Sequence, residues 1–112
     1  MNKSVYNKLK EVAKNKTIIC YEDLVSECDL LLNLGKIDDR NKLSEMLGEI
    51  SKSELAEERP PISVLVVLKG TVTPSYGFFN YMDELGERQP NETDEELRNR
   101  LMNWSHEYWS ER

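Results

Sequence analysis

Four acidic residues have the spacing of a site for a hard metal ion or of a carboxylate pair. They are Glu22, Asp23, Glu27 and Asp29, and Asp23 and Glu27 lie four residues apart on one face of a predicted helix. Carboxylates at this spacing hold hard cations or act as paired acid and base. Acidic residues in the first turns of a helix are also favoured by the helix dipole, so a solvated helix face accounts for them. We therefore predict no metal site.

The single histidine and the two cysteines are the other candidate catalytic groups. His106 follows Trp104 on a helix rich in charged residues, and this setting favours an exposed or half-buried side chain over a general base. Cys20 lies beside acidic residues, which raise rather than lower a thiol pKa. Cys20 and Cys28 both fit small core residues of a reduced protein better than a disulfide. Because no phosphate-binding loop, G-x-S-x-G or H-E-x-x-H motif is present, we predict a protein that is not an enzyme and has no cofactor.

Charge is unevenly distributed along the 112 residues. Residues 1–16 carry five lysines and one glutamate, a net charge of +4, so the other 96 residues sum to −10 in a chain of net charge −6. Proteins that neutralise nucleic-acid phosphates show the opposite balance. The length suits one domain, and no signal peptide or run of eighteen apolar residues is present. We expect a cytoplasmic protein without membrane contact.

Hydrophobic spacing predicts three helices in the first sixty residues. The first spans residues 2–15, the second residues 22–34 and the third residues 38–59, and a short β-branched strand at residues 17–20 separates the first two. Gly48 interrupts the apolar stripe of the third helix, and its expected use is the close approach of a neighbouring element. The residues predicted to be buried on the first and third helices are Val5, Leu9, Val12, Ala13, Leu43, Met46, Leu47 and Ile50.

The next segment is typical of a β-hairpin. Pro60-Pro61 ends the third helix. Residues 62–68 are apolar at nearly every position, as in a strand covered on both faces. Residues 69–75 contain a glycine and a proline that predict a turn, and Tyr76-Gly77-Phe78-Phe79 is the predicted return strand.

A polar stretch and an aromatic helix complete the chain. Residues 85–93 have the composition of a linker. Thr93 and Glu96 match a capping box that opens the last helix. This helix carries Trp104, Tyr108 and Trp109, and aromatic residues dominate both domain cores and partner contacts. We expect the helix to pack on its own domain, with homodimerisation through it as an alternative.

At TIICYEDLVSECD, LSEMLGEIS, RPPISVLVV and YGFF the chain resembles a small winged-helix-like domain of bacterial proteins associated with restriction, defence and mobile elements. The similarity covers about residues 17–79. It implies an α+β winged-helix-like fold in which three helices, a short strand and a β-hairpin wing are followed by a C-terminal helix. Residues 1–84 would form this domain, and residues 85–112 would be a linker and an aromatic helix packed on it. Residues 38–58 would be the recognition helix and residues 69–75 the wing.

The charges of the predicted recognition helix disfavour insertion into DNA, because it holds five glutamates and the wing holds a single lysine. We therefore predict a small acidic protein that engages a protein partner, as an inhibitor or accessory factor of a nucleic-acid-handling system. A winged-helix DNA-binding regulator is the alternative. The predicted partner-binding residues are Glu45, Glu49, Glu54, Lys69, Tyr76, Trp104, Tyr108 and Trp109.

Overall fold

The computed structural model describes all 112 residues, which form five α-helices around a short extended segment. The helices are α1 (Lys3–Lys14), α2 (Tyr21–Glu27), α3 (Ile37–Ala56), α4 (Tyr76–Glu84) and α5 (Asp94–Ser110). Strand β1 (Ile19–Cys20) lies between α1 and α2, and a 3₁₀ helix (Ile62–Leu65) leads directly into strand β2 (Val66–Val67). The two strands pair in parallel, with Ile19 opposite Val66. None of the helices is both long and apolar enough to cross a membrane.

The 3₁₀ helix and β2 lie at the centre of the hydrophobic core. Every residue from Pro60 to Val67 is buried, and α1, α3 and α5 all pack against the 3₁₀ helix. A segment surrounded by helices meets apolar neighbours in every direction, so it needs apolar side chains on all sides. The helix α1 contributes one face to this core through Val5, Leu9, Val12 and Ala13, which confirms the predicted stripe.

The structure contradicts the predicted winged-helix fold. Tyr76–Phe79, predicted as the return strand of a wing, forms the first residues of α4, and β2 has only β1 as a neighbour in the sheet. The buried residues of α4 are Phe78, Phe79 and Met82, whose spacing is that of a helix face. Residues 69–75 form an irregular connection rather than a wing. The prediction failed because short buried apolar runs do not distinguish a strand from other buried segments by periodicity.

The second predicted helix is also shorter than expected, because α2 ends at Glu27. Asp29 then adopts a left-handed φ of 52°. Its amide donates to the Ser26 carbonyl at 3.2 Å, and the Leu30 amide donates to the Val25 carbonyl at 2.9 Å. This pair of bonds is a Schellman motif. The same pattern ends α1, α3 and α4. The left-handed residues behind the four helices are Lys16, Asp29, Glu58 and Gly86.

Residues 85–93, predicted as a linker, are fastened to the neighbouring helices by two arginines. Arg88 donates to Asp83 in α4 at 2.7 Å and to Asp94 in α5 at 2.6 Å. Arg100 in α5 donates to both carboxylate oxygens of Glu92, at 2.8 and 2.9 Å. These bonds from Arg100 are the main reason that the pKa of Glu92 is lowered to about 2. The segment is therefore held in place although its composition is polar.

The start of α5 matches the predicted capping box. The Thr93 hydroxyl accepts a hydrogen bond from the Glu96 amide at 3.1 Å, and the Glu96 carboxylate accepts one from the Thr93 amide at 3.0 Å. Leu97 and Leu101 are fully buried on the face that meets α1 and the 3₁₀ helix. The capping-box prediction is confirmed.

Candidate functional site

A hollow of about 460 Å³ opens between α3 and α4. This volume is within the range of protein sites that enclose a ligand or a partner's side chain. Its buried members, Leu47, Ser63 and Phe78, come from three different elements. We call this hollow the Glu45 cleft. The residues that line it are Tyr21, Ser44, Glu45, Leu47, Gly48, Glu49, Lys52, Ser63, Ser75, Gly77, Phe78 and Tyr81.

Gly48 explains why α3 and α4 approach closely beside the cleft. A β-carbon at this position would lie 3.3 Å from a ring carbon of Tyr81. The Tyr81 ring therefore packs on bare backbone of α3, which confirms the close approach predicted for Gly48. Below this contact, a buried pair of hydroxyls connects α3 to the 3₁₀ helix. The Ser51 and Ser63 oxygens lie 2.6 Å apart, and the Ser63 amide donates to the Ser51 oxygen at 3.1 Å.

A second hollow of about 340 Å³ adjoins the first. Both hollows include Ser44, Tyr21 and Ser75 among their lining residues. The Tyr21 hydroxyl donates to the Ser75 hydroxyl and accepts from the Ser75 amide, each at 3.0 Å. This hydrogen-bonded pair fixes the start of α4 to the start of α2, on the common border of the hollows. We call the second hollow the Arg40 cleft. Its remaining lining residues are Glu22, Leu34, Arg40, Leu43, Leu68 and Lys69.

The two clefts differ in charge. Two carboxylates and one cation line the Glu45 cleft: Glu45 has no ion-pair partner, Glu49 pairs with the amino group of Met1 at 3.0 Å, and Lys52 is unpaired. Two cations, Arg40 and Lys69, line the Arg40 cleft with Glu22 as the single carboxylate. Among the lining residues the Glu45 cleft has one more carboxylate than cations and the Arg40 cleft one more cation than carboxylates, so the pair of clefts has a weakly negative end and a weakly positive end.

Exposed apolar side chains lie in the segment that borders both clefts. Leu68, Val72 and Tyr76 keep 45%, 56% and 76% of their surface in contact with solvent. Leu68 lines the Arg40 cleft. In sequence, Tyr76 lies between Ser75 and Gly77, which line the Glu45 cleft. Apolar side chains that cluster on a surface are typical of interaction sites.

The polar groups around the clefts are hydroxyls, carboxylates and cations, with no histidine or cysteine among them. No group of three or more His, Cys, Asp or Glu side chains is arranged to hold a metal ion. No protein-family model, curated protein or solved structure matches this chain.

Three of the eight predicted partner-binding residues line the clefts. Glu45 and Glu49 line the first cleft and Lys69 lines the second, whereas Tyr76 lines neither and directly precedes the lining residue Gly77. The structure does not bring the three aromatic residues of α5 to either cleft. Those residues are Trp104, Tyr108 and Trp109, and all three are half-buried.

Glu54 is completely buried, so its carboxylate cannot contact a partner. One of its oxygens accepts hydrogen bonds from the Tyr6 hydroxyl at 2.8 Å and from Arg59 at 3.0 and 3.1 Å, while the other oxygen has no partner. Burial, followed by the hydrogen bond to Glu54, raises the pKa of Tyr6 to about 12. We correct the predicted contact set by removing Glu54, because its role is to connect α1, α3 and the residues after α3.

Tyr108 and Trp109 belong to an aromatic cluster between α1 and α5. The Trp109 ring meets Tyr6 edge to face at 6.3 Å and Tyr108 at 5.0 Å. The Lys10 ammonium lies 4.6 Å from the Tyr6 ring centre, and the Arg112 guanidinium lies 3.7 Å from that of Tyr108. These contacts hold the C-terminal helix on the domain.

Neither cleft is lined by Glu27, His106 or the two cysteines. Glu27 pairs with Lys8 at 2.8 Å, and this bond is the main reason that the pKa of Lys8 is raised. The His106 ring lies 2.9 Å from the Thr17 carbonyl oxygen and donates to it. Cys20 and Cys28 are half-buried free thiols, and burial raises the pKa of Cys28.

Sequence reasoning missed most of the cleft-lining residues. Ser44 and Gly48, one helical turn apart on α3, were a usable signal, because small residues at this spacing leave a depression along a helix. The opposite wall was not predictable, because the apolar pattern predicts a strand at Gly77 and Phe78, which lie in α4. Tyr21 and Ser75, 54 residues apart in sequence, meet only through the tertiary fold.

Proposed function

We propose that this protein binds a basic segment of a protein partner in the Glu45 cleft and catalyses no reaction. The observation that carries this proposal is an open hollow lined by Glu45 and Glu49 on one side and by Phe78 and Tyr81 on the other. An aromatic or aliphatic side chain of the partner fills the hollow, and lysine or arginine residues next to it pair with Glu45 and, in place of the Met1 amino group, with Glu49. Buried anchors of this kind supply most of the binding energy, and charge complementarity selects the partner.

The charge of the whole chain supports a basic partner. Beyond residue 16 the net charge is −10, which repels phosphates and attracts basic surfaces. A cytoplasmic protein that handles nucleic acid has such a surface, so a role as its inhibitor or accessory factor belongs to this proposal. DNA binding is disfavoured further because the fold has no wing.

The proposal is tested by ¹H–¹⁵N NMR of the full chain with a synthetic peptide of one tryptophan between two pairs of arginines. The amide signals of the five glycines report where the peptide binds. Gly48 and Gly77 line the Glu45 cleft, and Gly86 lines neither cleft. We expect the Gly48 and Gly77 amides to shift and Gly86 to stay unchanged. A peptide with glutamates in place of the arginines should cause no shift, and alanine in place of tryptophan should weaken binding.

Charge reversal provides the matched pair of variants. Glu45→Lys with Glu49→Lys should weaken binding of the arginine peptide by roughly tenfold or more. Glu57→Lys with Glu58→Lys changes the net charge by the same amount at exposed positions outside the clefts. This variant should lose less than about threefold in affinity for the arginine peptide. Equal losses in both variants would remove the cleft from the proposal.

Two further outcomes would assign the surface to another occupant. Shifts of Gly48 and Gly77 on addition of a random DNA duplex at low salt would support the DNA-binding alternative. A dimer in sedimentation velocity, with the same two amides shifting on dilution, would assign the cleft to a second copy of the chain. Either result overturns the proposal.

A further inference from the structure

We infer that the Glu45 and Arg40 clefts form one continuous groove that binds a dipolar peptide segment in a fixed orientation. The basic end of the segment lies over Glu45 and Glu49, and its acidic end lies over Arg40 and Lys69. This inference rests on the proposed function and adds the charge pattern and spatial direction of the partner.

The order of charges along α3 sets the direction. Arg40 lines one cleft, Ser44 is shared by both clefts, and Glu45 and Glu49 line the other. Nine residues of helix separate Arg40 from Glu49, a distance of about 14 Å. An extended peptide covers that distance with about four residues. The partner segment therefore has its acidic and basic residues about four positions apart, with apolar side chains between them.

Lys69 strengthens the positive end from the opposite wall. It follows Leu68 directly after β2 and has no ion-pair partner, as is also true of Arg40. Glu22 is the single carboxylate lining that cleft, and Lys52 is the single cation lining the other. A uniformly basic segment is repelled at one end of the groove and a uniformly acidic one at the other. A segment of mixed charge satisfies both ends.

The border between the clefts offers hydrogen bonds to a peptide backbone. The Ser75 hydroxyl accepts from Tyr21, and its own hydrogen remains free to donate. Ser44 is exposed on the opposite wall with no hydrogen bond from its hydroxyl to another residue. A peptide that crosses this border meets two hydroxyl donors, with apolar surface of Leu68 in the Arg40 cleft and of Phe78 in the Glu45 cleft.

The orientation is measured with a peptide that has two aspartates at one end, two arginines at the other, and leucine and tryptophan between them. A nitroxide is attached to either end in separate samples, and broadening of the glycine amides is recorded. Gly48 and Gly77 report the Glu45 cleft, and Gly35 and Gly70 adjoin the Arg40-cleft residues Leu34 and Lys69. We expect the label on the arginine end to broaden Gly48 and Gly77 first, and the label on the aspartate end to broaden Gly35 and Gly70 first.

Exchanging the charges of the groove provides the control. We expect the dipolar peptide to bind at least fivefold more weakly to either of two double variants. One is Arg40→Glu with Lys69→Glu, and the other is Glu45→Lys with Glu49→Lys. All four substitutions together should restore binding and exchange the glycines that each label broadens. The four side chains are exposed, so circular dichroism should show an unchanged fold.

The outcomes separate the two proposals. If the all-arginine peptide shifts Gly48 and Gly77 but both labels on the dipolar peptide broaden all four glycines equally, the orientation is wrong and the proposed function stands. The reverse orientation in the native chain also overturns the inference alone. If no peptide shifts these glycines, both proposals fail.

Discussion

Glu54 shows how one residue can be charged in sequence and internal in structure. It follows Leu47 and Ile50 at helical spacing, so the buried stripe of α3 carries it into the core. The Schellman motif after α3 turns the chain back, and the Arg59 amide donates to the Glu54 carbonyl at 2.9 Å while the Arg59 guanidinium donates to its carboxylate. A buried carboxylate needs such partners because its desolvation is costly. The helical spacing of Glu54 is that of the buried stripe, but its charge led to the wrong prediction of an exposed partner contact.

Truncation of Glu54 tests its role in stability. Glu54→Ala should lower the free energy of unfolding by about 3 kcal/mol, because Arg59 and Tyr6 lose the acceptor that they share. Glu57→Ala, three residues later on the exposed surface, should change it by less than about 0.5 kcal/mol. Urea unfolding monitored by tryptophan fluorescence measures both values. A loss below 1 kcal/mol for Glu54→Ala would show that the buried contacts contribute little.

Tyr6 should make the free energy of unfolding fall as the pH becomes alkaline. Its pKa is raised from the ordinary value of 10 to about 12, so the folded chain holds the phenol proton more tightly than the unfolded chain. The resulting stabilisation is complete below pH 10 and is lost as the pH rises towards 12. The free energy of unfolding should therefore fall across this interval, and less steeply in Tyr6→Phe. Denaturant unfolding at pH 9, 10 and 11 measures the two slopes, and equal slopes would exclude Tyr6 as the source.

At the scale of elements, the ends of the helices were harder to predict than their faces. The buried face of α1 and the capping box of α5 follow from local spacing, and both were predicted correctly. The ends of α1, α2 and α3 depend on Lys16, Asp29 and Glu58 in the left-handed conformation. Glycine is the usual signal for such an end. Without it, the end of α2 was predicted seven residues too late, and Pro60-Pro61 marked the end of α3 only to within three residues.

The same motif gives a prediction at the end of α3. Glu58 has a φ of 59°, which is unfavourable for a residue with a β-carbon. Glu58→Gly should therefore raise the free energy of unfolding by about 0.5 to 1 kcal/mol, once the greater freedom of glycine in the unfolded chain is subtracted. Glu57→Gly, at a φ of −100°, should lower it instead. Denaturant midpoints of the two variants measure the contrast, and a decrease in both would contradict it.

The β-hairpin predicted at residues 62–79 was wrong because the pattern of a short segment does not show which elements pack around it. The apolar run at residues 62–68 was predicted to be covered on both faces; residues 62–67 are buried, whereas Leu68 keeps 45% of its surface exposed. The 3₁₀ helix at the start of this run packs against α1, α3 and α5 rather than within a sheet. Phe78, Phe79 and Met82 carried a helical pattern that becomes clear only when the residues after Phe79 are included. The second wall of the groove depended on that assignment. The acidic wall at Glu45 and Glu49 was predictable, and the cleft beside it was not.

At the scale of the whole molecule, the negative charge acts over a longer range than the groove. The −10 balance beyond residue 16 includes carboxylates far from the clefts. Such a field accelerates the approach of a basic partner, whereas contacts inside the groove determine how long it stays bound. The two contributions differ in their dependence on salt, because only the long-range field is strongly screened at physiological ionic strength.

Stopped-flow binding of the arginine peptide separates these contributions. As NaCl rises from about 10 to 300 mM, we expect the association rate constant to fall by roughly tenfold. The dissociation rate constant should change by less than twofold. At low salt, Glu57→Lys with Glu58→Lys should slow association and leave dissociation unchanged, because these residues contribute only to the field. Glu45→Lys with Glu49→Lys should also accelerate dissociation, because it removes contacts made in the bound state. If both variants change only association, the carboxylates of the groove attract the peptide without holding it, and the bound segment lies elsewhere.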